Sequence, residues 1–161
     1  MTEARLFTDS SNMSDSIYVF KERRFHFGLF QRDVERCIPF DRIWISPSVS
    51  DAEKWKFESK NGKLNGALIH LGCYLKSSLV HFSHRGSIFV VKLKDKSFCG
   101  IFTDNIVLRI RTDEENCRIL NYCQIKRYPP GISLESYLEL YKYGRKTIFV
   151  IDPVRFGPMK R

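Results

Sequence analysis

Short runs of apolar residues that alternate with polar ones, each closed by a charged, glycine or proline turn, recur along this chain and commit much of it to β-hairpins. Ile17 to Lys21 and Phe25 to Phe30 flank the basic turn Glu22-Arg23-Arg24. Ser87 to Leu93 and Ser97 to Phe102 flank Lys94-Asp95-Lys96, and Tyr137 to Tyr141 and Lys146 to Ile151 flank Tyr143-Gly144, with Pro153 closing the last hairpin. Trp55 and Phe57 alternate with Lys54, Lys56, Glu58 and Lys60, which reads as a strand with one buried and one charged face. The stretch holding Pro39 and Pro47 reads as irregular.

A different period interrupts these runs. Leu64, Leu68, Leu71, Leu75 and Leu79 recur at helical spacing, so a helix is expected over Leu64 to Phe82. Thr103 or Asp104 can cap a second helix through Leu120, although the β-branched Val107, Ile110 and Thr112 make strand compete there. The expected fold class is therefore α+β, a mostly antiparallel sheet with one or two packed helices. Residues 1–16, polar and without a period, read as a disordered tail, and 17–161 as a single domain.

The 27 Lys and Arg against 18 Asp and Glu give a formal charge of +9. The tail holds three acids and one Arg, which leaves 26 basic and 15 acidic residues, or +11, on 17–161. Such a surplus repels itself unless an anionic partner offsets it, and nucleic acid is the first candidate. Arg23, Arg24, Lys92, Lys94, Lys96, Arg109, Arg111, Lys126 and Arg127, together with Lys21, could line an RNA-binding surface, with Tyr128 or Phe25 stacking on bases. Scattered solvated lysines and arginines are the alternative. The longest apolar stretch, Gly66 to Leu75, is too short to span a bilayer, so no transmembrane segment is expected. Five cysteines at uneven spacings and no secretory signal point to a reducing, cytoplasmic location.

Two carboxylates and an ammonium crowd one end of a strand at Glu53, Glu58 and Lys60, and Asp95 lies in a later turn. Carboxylates brought together hold a divalent cation through hard oxygen ligands, and such a cation can stabilise charge on a phosphate and activate water. Positions five apart point to opposite faces of a flat strand, so Glu53 would have to lie in a preceding loop or past a bulge. The same residues also read as the solvated face of an amphipathic strand followed by an ordinary turn former. His81 with His84 and Cys117 with Cys123 lack the spacing of a zinc signature and are read as buried or helix-end residues rather than as a zinc site.

The order Glu53, Glu58, Lys60, expected hydrophobic helix, Gly86, apolar strand, Asp95, Gly100-Ile101 resembles the Schlafen core domain and its AlbA-like relatives. Lys54 stands where that pattern has a serine, Ser59 where it has a phenylalanine, and a second glycine beside Gly86 is missing. The resemblance implies a Schlafen-type lobe and a metal-dependent endoribonuclease using Mg²⁺ or Mn²⁺. Glu53, Glu58 and Asp95 would be its catalytic metal ligands, with Lys60 beside them. It also implies RNA and other Schlafen-fold subunits as partners in a hetero-oligomer, since the family includes a nematode nuclease of small Schlafen-fold chains that processes the 5′ ends of piRNA precursors. Two further readings stay open: a non-catalytic RNA-binding or scaffolding subunit whose partner carries the active site, and a basic protein-interaction module.

Overall fold

The computed structural model describes residues 15–47, 55–73, 75, 81–104 and 106–156. Among them the chain forms two six-stranded sheets and no helix longer than a single three-residue 3₁₀ turn. The first sheet holds β1 (Ser16–Glu22), β2 (Phe25–Phe30), β9 (Ile106–Arg111), β10 (Cys117–Ile119), β11 (Tyr137–Tyr143) and β12 (Lys146–Ile151), in the order β9-β1-β2-β12-β11-β10. The second holds β3 (Val34–Pro39), β4 (Ile43–Pro47), β5 (Trp55–Ser59), β6 (Asn65–His70), β7 (Ser87–Lys92) and β8 (Phe98–Thr103), in the order β3-β7-β8-β6-β5-β4. The pairs β2–β12 and β6–β8 are parallel and the remainder antiparallel.

The central strands are buried on both faces, which is why they read as unbroken apolar runs. In β12, Ile148 and Val150 enter one core while Phe149 and Ile151 enter another. In β7, Phe89 and Val91 share the core of Phe149, while Ile88 and Val90 belong to a third. The shared core joins the sheets: Phe20, Phe27, Leu29, Leu140 and Phe149 from the first meet Ile69, Phe89, Val91 and Ile101 from the second. Each sheet also curls around a core of its own. Ile110 of the edge strand β9 and Cys117 of the opposite edge β10 lie in one cluster, and Ile38 of β3 and Ile43 of β4 lie in another. Curling brings the edges toward each other and limits the exposed ladder groups that invite aggregation.

The α+β expectation is corrected by this architecture. Asn65–His70, expected in the first helix, is β6, sandwiched between β5 and β8, and a single 3₁₀ turn at Leu71–Cys73 follows it. Its backbone runs so close to β8 that a Cβ on Gly66 would meet the Phe98 carbonyl oxygen at 2.0 Å. Leucines four apart fit a strand whose neighbours bury it as readily as a helix, and pairing on both sides decides between them. Leu79 lies outside the described residues. The second expected helix is β9, a tight turn and β10, because Ile110 is fully buried against β1 with its β-branched neighbours at strand spacing. The stretch around Pro39 and Pro47 is not irregular but forms β3 and β4, each ending at its proline and each an edge strand, where a missing N–H is tolerated.

Asp15 and Ser16, taken with the tail in the sequence, are already held: Asp15 pairs with Arg32 at 2.6 Å and Ser16 opens β1. The rest of that tail lies outside the described residues. No helix among the described residues is long and apolar enough to cross a membrane.

Candidate functional site: a basic groove beside the first hairpin

β1 and β2 are joined by a two-residue turn, Arg23-Arg24, with Glu22 paired to Phe25 across it. Two-residue hairpin turns follow the strand twist best when φ is positive, a conformation that glycine and asparagine accept readily. Arg23 adopts it, at φ 57°, against a cost of about 1 kcal/mol for an L side chain. A strained arginine thus stands beside a second one at the tip of the hairpin.

Across from this tip runs the segment linking β10 to β11, which supplies Arg127, Tyr128 and Pro130. Between them is a groove of about 770 Å³ whose cations are Lys21, Arg23, Arg24 and Arg127. Phe25, Pro130 and Leu75 give it an apolar lining, and Leu75 is only 4% exposed. No carboxylate is among the described residues of its lining.

The aromatic walls are fixed from below. Phe149, buried in the shared core, takes the Phe25 ring edge-on at 6.2 Å and the Tyr128 ring tilted at 5.7 Å. The Tyr128 hydroxyl donates to the Tyr122 carbonyl at 2.6 Å, so both ends of that side chain are held. Desolvation, with help from Tyr122 and Cys123, raises the Tyr128 phenol above its usual range, which keeps it a neutral donor. Behind the tip, burial raises the Glu22 carboxyl above the ordinary carboxylate range; His70 and Arg23 oppose that shift and Asp104 adds to it. His26, facing Lys21 across the hairpin, is held below the usual imidazole value by burial and by Lys146 and Lys21. A groove with this wall composition can accept negative charge on its rim and an apolar group on its floor.

Of the carboxylates singled out in the sequence, the described ones, Glu58 and Asp95, do not gather in this way. Glu53 lies outside the described residues. Glu58 projects from the exposed face of β5, between Trp44 on β4 and Asn65 on β6, while Phe57 and Ser59 point inward. Lys60 places its ammonium 4.4 Å from the centre of the Trp44 ring, a cation–π contact on the surface. Asp95 sits in the exposed β7–β8 turn, where its carboxylate accepts the Ser97 N–H at 3.0 Å and the Ser97 hydroxyl. Those bonds hold its carboxyl below the usual range. β6 separates β5 from β8, two strand spacings or roughly 10 Å, whereas ligands sharing a cation must meet within about 5 Å. Among the described residues no group of three or more His, Cys, Asp or Glu is placed to hold a metal ion.

Gly86 and Gly100 also have packing reasons. A Cβ on Gly86 would meet the Phe102 ring at 2.3 Å, and one on Gly100 would meet Ile88 at 2.6 Å. His81 is exposed, and its carbonyl accepts from the buried His70 ring at 2.9 Å; His84 packs edge-on against Phe40. Cys117 is buried in β10, whereas Cys123 is exposed in a 3₁₀ turn.

Of the basic residues expected to bind RNA, Arg23, Arg24 and Arg127 come together in the groove, with Lys126 exposed next to it in sequence. Lys92 ends β7, and Lys94 and Lys96 lie in the β7–β8 turn, all in the other sheet. Arg109 and Arg111 lie on β9, donating to Gln31 at 3.3 Å and pairing with Asp113 at 2.9 Å. Sequence reasoning missed Leu75, assigned to a helix, and Pro130. The available signal was a repeated pattern, Arg-Arg-Phe at 23–25 and Lys-Arg-Tyr at 126–128, cations followed by an aromatic residue.

No protein-family model and no curated protein matches the sequence. The structure is similar to that of the scaffolding protein TtCheW from Thermoanaerobacter tengcongensis, with a TM-score of 0.65 and 19% identity over 92% of this chain and 90% of that chain. The shared fold is the two-sheet β architecture, not the Schlafen lobe. The Schlafen resemblance is therefore corrected, and with it the endoribonuclease activity, the piRNA-precursor processing and the Schlafen-fold partner subunits that followed from it. Spaced glycines and a turn acid matched that pattern because close-packed strands and tight turns require the same residues.

Proposed function

We propose that this chain is a non-catalytic scaffold or adaptor domain that brings protein partners together. The observation that carries the reading is the extent of the likeness to a solved scaffolding protein, TtCheW, which covers nearly the whole chain. The basic groove supports it, since its described lining joins cations to an apolar wall and holds no carboxylate, histidine, serine or cysteine.

Cross-linking of the full chain in its source cells, followed by mass spectrometry of the isolated complexes, tests the proposal. An adaptor is recovered in a defined assembly with at least two different proteins contacting distinct faces. Recovery of the chain by itself, or turnover of a small substrate by the isolated chain, overturns it.

A further inference from the structure

We propose that the groove between the β1–β2 tip and the Arg127–Pro130 segment binds an acidic peptide segment with an aromatic side chain among its carboxylates. This rests on the adaptor reading and names the partner chemistry that the groove selects.

Charge complementarity sets the first requirement. Arg23 and Arg24 on one rim and Arg127 on the other present planar, permanently charged forks suited to carboxylates, and the described lining contains nothing negative. Among the described residues none of these three side chains is engaged in a salt bridge, although Arg23 is felt electrostatically by the Glu22 carboxyl behind the tip. The floor sets the second. The exposed apolar surface of Phe25 and Pro130, backed by the buried Leu75, would stay wet beneath a purely ionic ligand, while a purely apolar one would leave the guanidiniums unmatched. A ring flanked by carboxylates satisfies both at once. The walls are preorganised, since Phe149 holds Phe25 and Tyr128 before any ligand arrives, which reduces the ordering cost of binding.

The distribution of charge favours a peptide over RNA. A single-strand site follows the phosphate backbone along a basic track of several nucleotides. Apart from Lys126, the other candidate cations lie away from the groove, at the end of β7, in the β7–β8 turn and on β9, where Arg111 is already paired with Asp113. Lys21, Arg23, Arg24 and Arg127 form a compact cluster around one groove of about 770 Å³, a size that encloses a few side chains.

Fluorescence anisotropy with the full chain tests this, using a labelled Glu-Asp-Phe-Glu-Asp-Phe-Glu peptide. Its comparison probes have amides in place of the carboxylates, alanine in place of phenylalanine, or a labelled decauridylate. The acidic aromatic peptide should bind at least about tenfold more tightly than either altered peptide. Arg24→Glu and Arg127→Glu should each weaken it by about tenfold or more, with unfolding midpoints near the parent's. The milder Arg127→Gln should weaken it less, and it keeps the test valid if charge reversal disturbs folding. Equal binding of the acidic and amide peptides overturns the inference, as does tighter binding of decauridylate through the same arginines. The outcomes separate from those of the adaptor reading. A cross-linked assembly that survives Arg127→Glu, together with no peptide binding, removes the groove inference and leaves the adaptor standing. Peptide binding by a chain recovered without partners does the reverse.

Discussion

At the tip of the β1–β2 hairpin, cations from two segments far apart in sequence face one another over an apolar lining, whereas Lys56 and Glu58 on β5 and Lys60 just past its end simply follow one another on an exposed face. Both stretches are rich in charge. In the first, the aromatic neighbours Phe25 and Tyr128 are anchored to the buried Phe149, so the charged rim has a fixed frame. In the second, the alternate residues Phe57 and Ser59 turn inward to the core, and the charged residues are left exposed, with the Trp44 ring beside Lys60. Convergence from separate elements, rather than charge density along one element, distinguishes a recognition surface from a solvated face.

The comparison breaks first at its anchor. Phe149→Ala removes the ring against which Phe25, Phe27, Tyr128 and Tyr137 pack, so we expect a loss of about 3–5 kcal/mol by denaturant unfolding. The remaining folded protein should bind the acidic peptide more weakly. A variant with parental stability would mean that Phe149 does not frame the groove.

A smaller change should move stability and binding in opposite directions. Arg23→Asn places a residue that tolerates the left-handed conformation at φ 57°, and should stabilise the hairpin by a few tenths to about 1 kcal/mol. It also removes a rim cation, so peptide affinity should fall as the unfolding midpoint rises. A drop in both would place the strain elsewhere.

Glu22, behind the same tip, gives a pH signature. Its folded carboxyl is raised above the unfolded value chiefly by burial, so the folded state is penalised once Glu22 ionises and stability from this group falls as pH rises through the folded pKa. Glu22→Gln should therefore raise the midpoint near neutral pH. The gain should vanish at a pH about one unit below the ordinary glutamate value, where both states are protonated. A gain that persists there would reflect packing instead.

The smallest effect is expected on β5. Glu58→Gln at an exposed strand position should change stability by less than about 0.5 kcal/mol and leave peptide affinity unchanged. A marked effect on either would return Glu58 to the functional surface.

Much of this contrast lies beyond local pattern. The β1–β2, β7–β8 and β11–β12 hairpins are legible because apolar alternation and turn residues act over a few positions. β6 is not, because leucines four apart satisfy a helix template, and only its pairing with both β5 and β8 makes it a strand. The runs Ile88–Val91 and Ile148–Ile151 signal burial on both faces, but not that each sheet curls around a core of its own. Arg23, Arg24 and Arg127 are legible as cations, yet their meeting depends on where β12 places Phe149 beneath Phe25 and Tyr128. The Glu58, Gly86, Asp95 and Gly100 series misled for the converse reason: the glycines and Asp95 each answer a local demand of close packing or a tight turn, Glu58 is an exposed strand residue, and such demands need not add up to one site.

Backbone amide shifts of the isotope-labelled full chain, followed by NMR during titration with the acidic aromatic peptide, test the central claim most directly. The account predicts that perturbations concentrate at Lys21 to Phe25 and Lys126 to Tyr128 and leave Lys56 to Lys60 and the Lys94 to Ser97 turn unmoved. Shifts centred on β5 or that turn, or spread evenly over all exposed lysines and arginines, would contradict it.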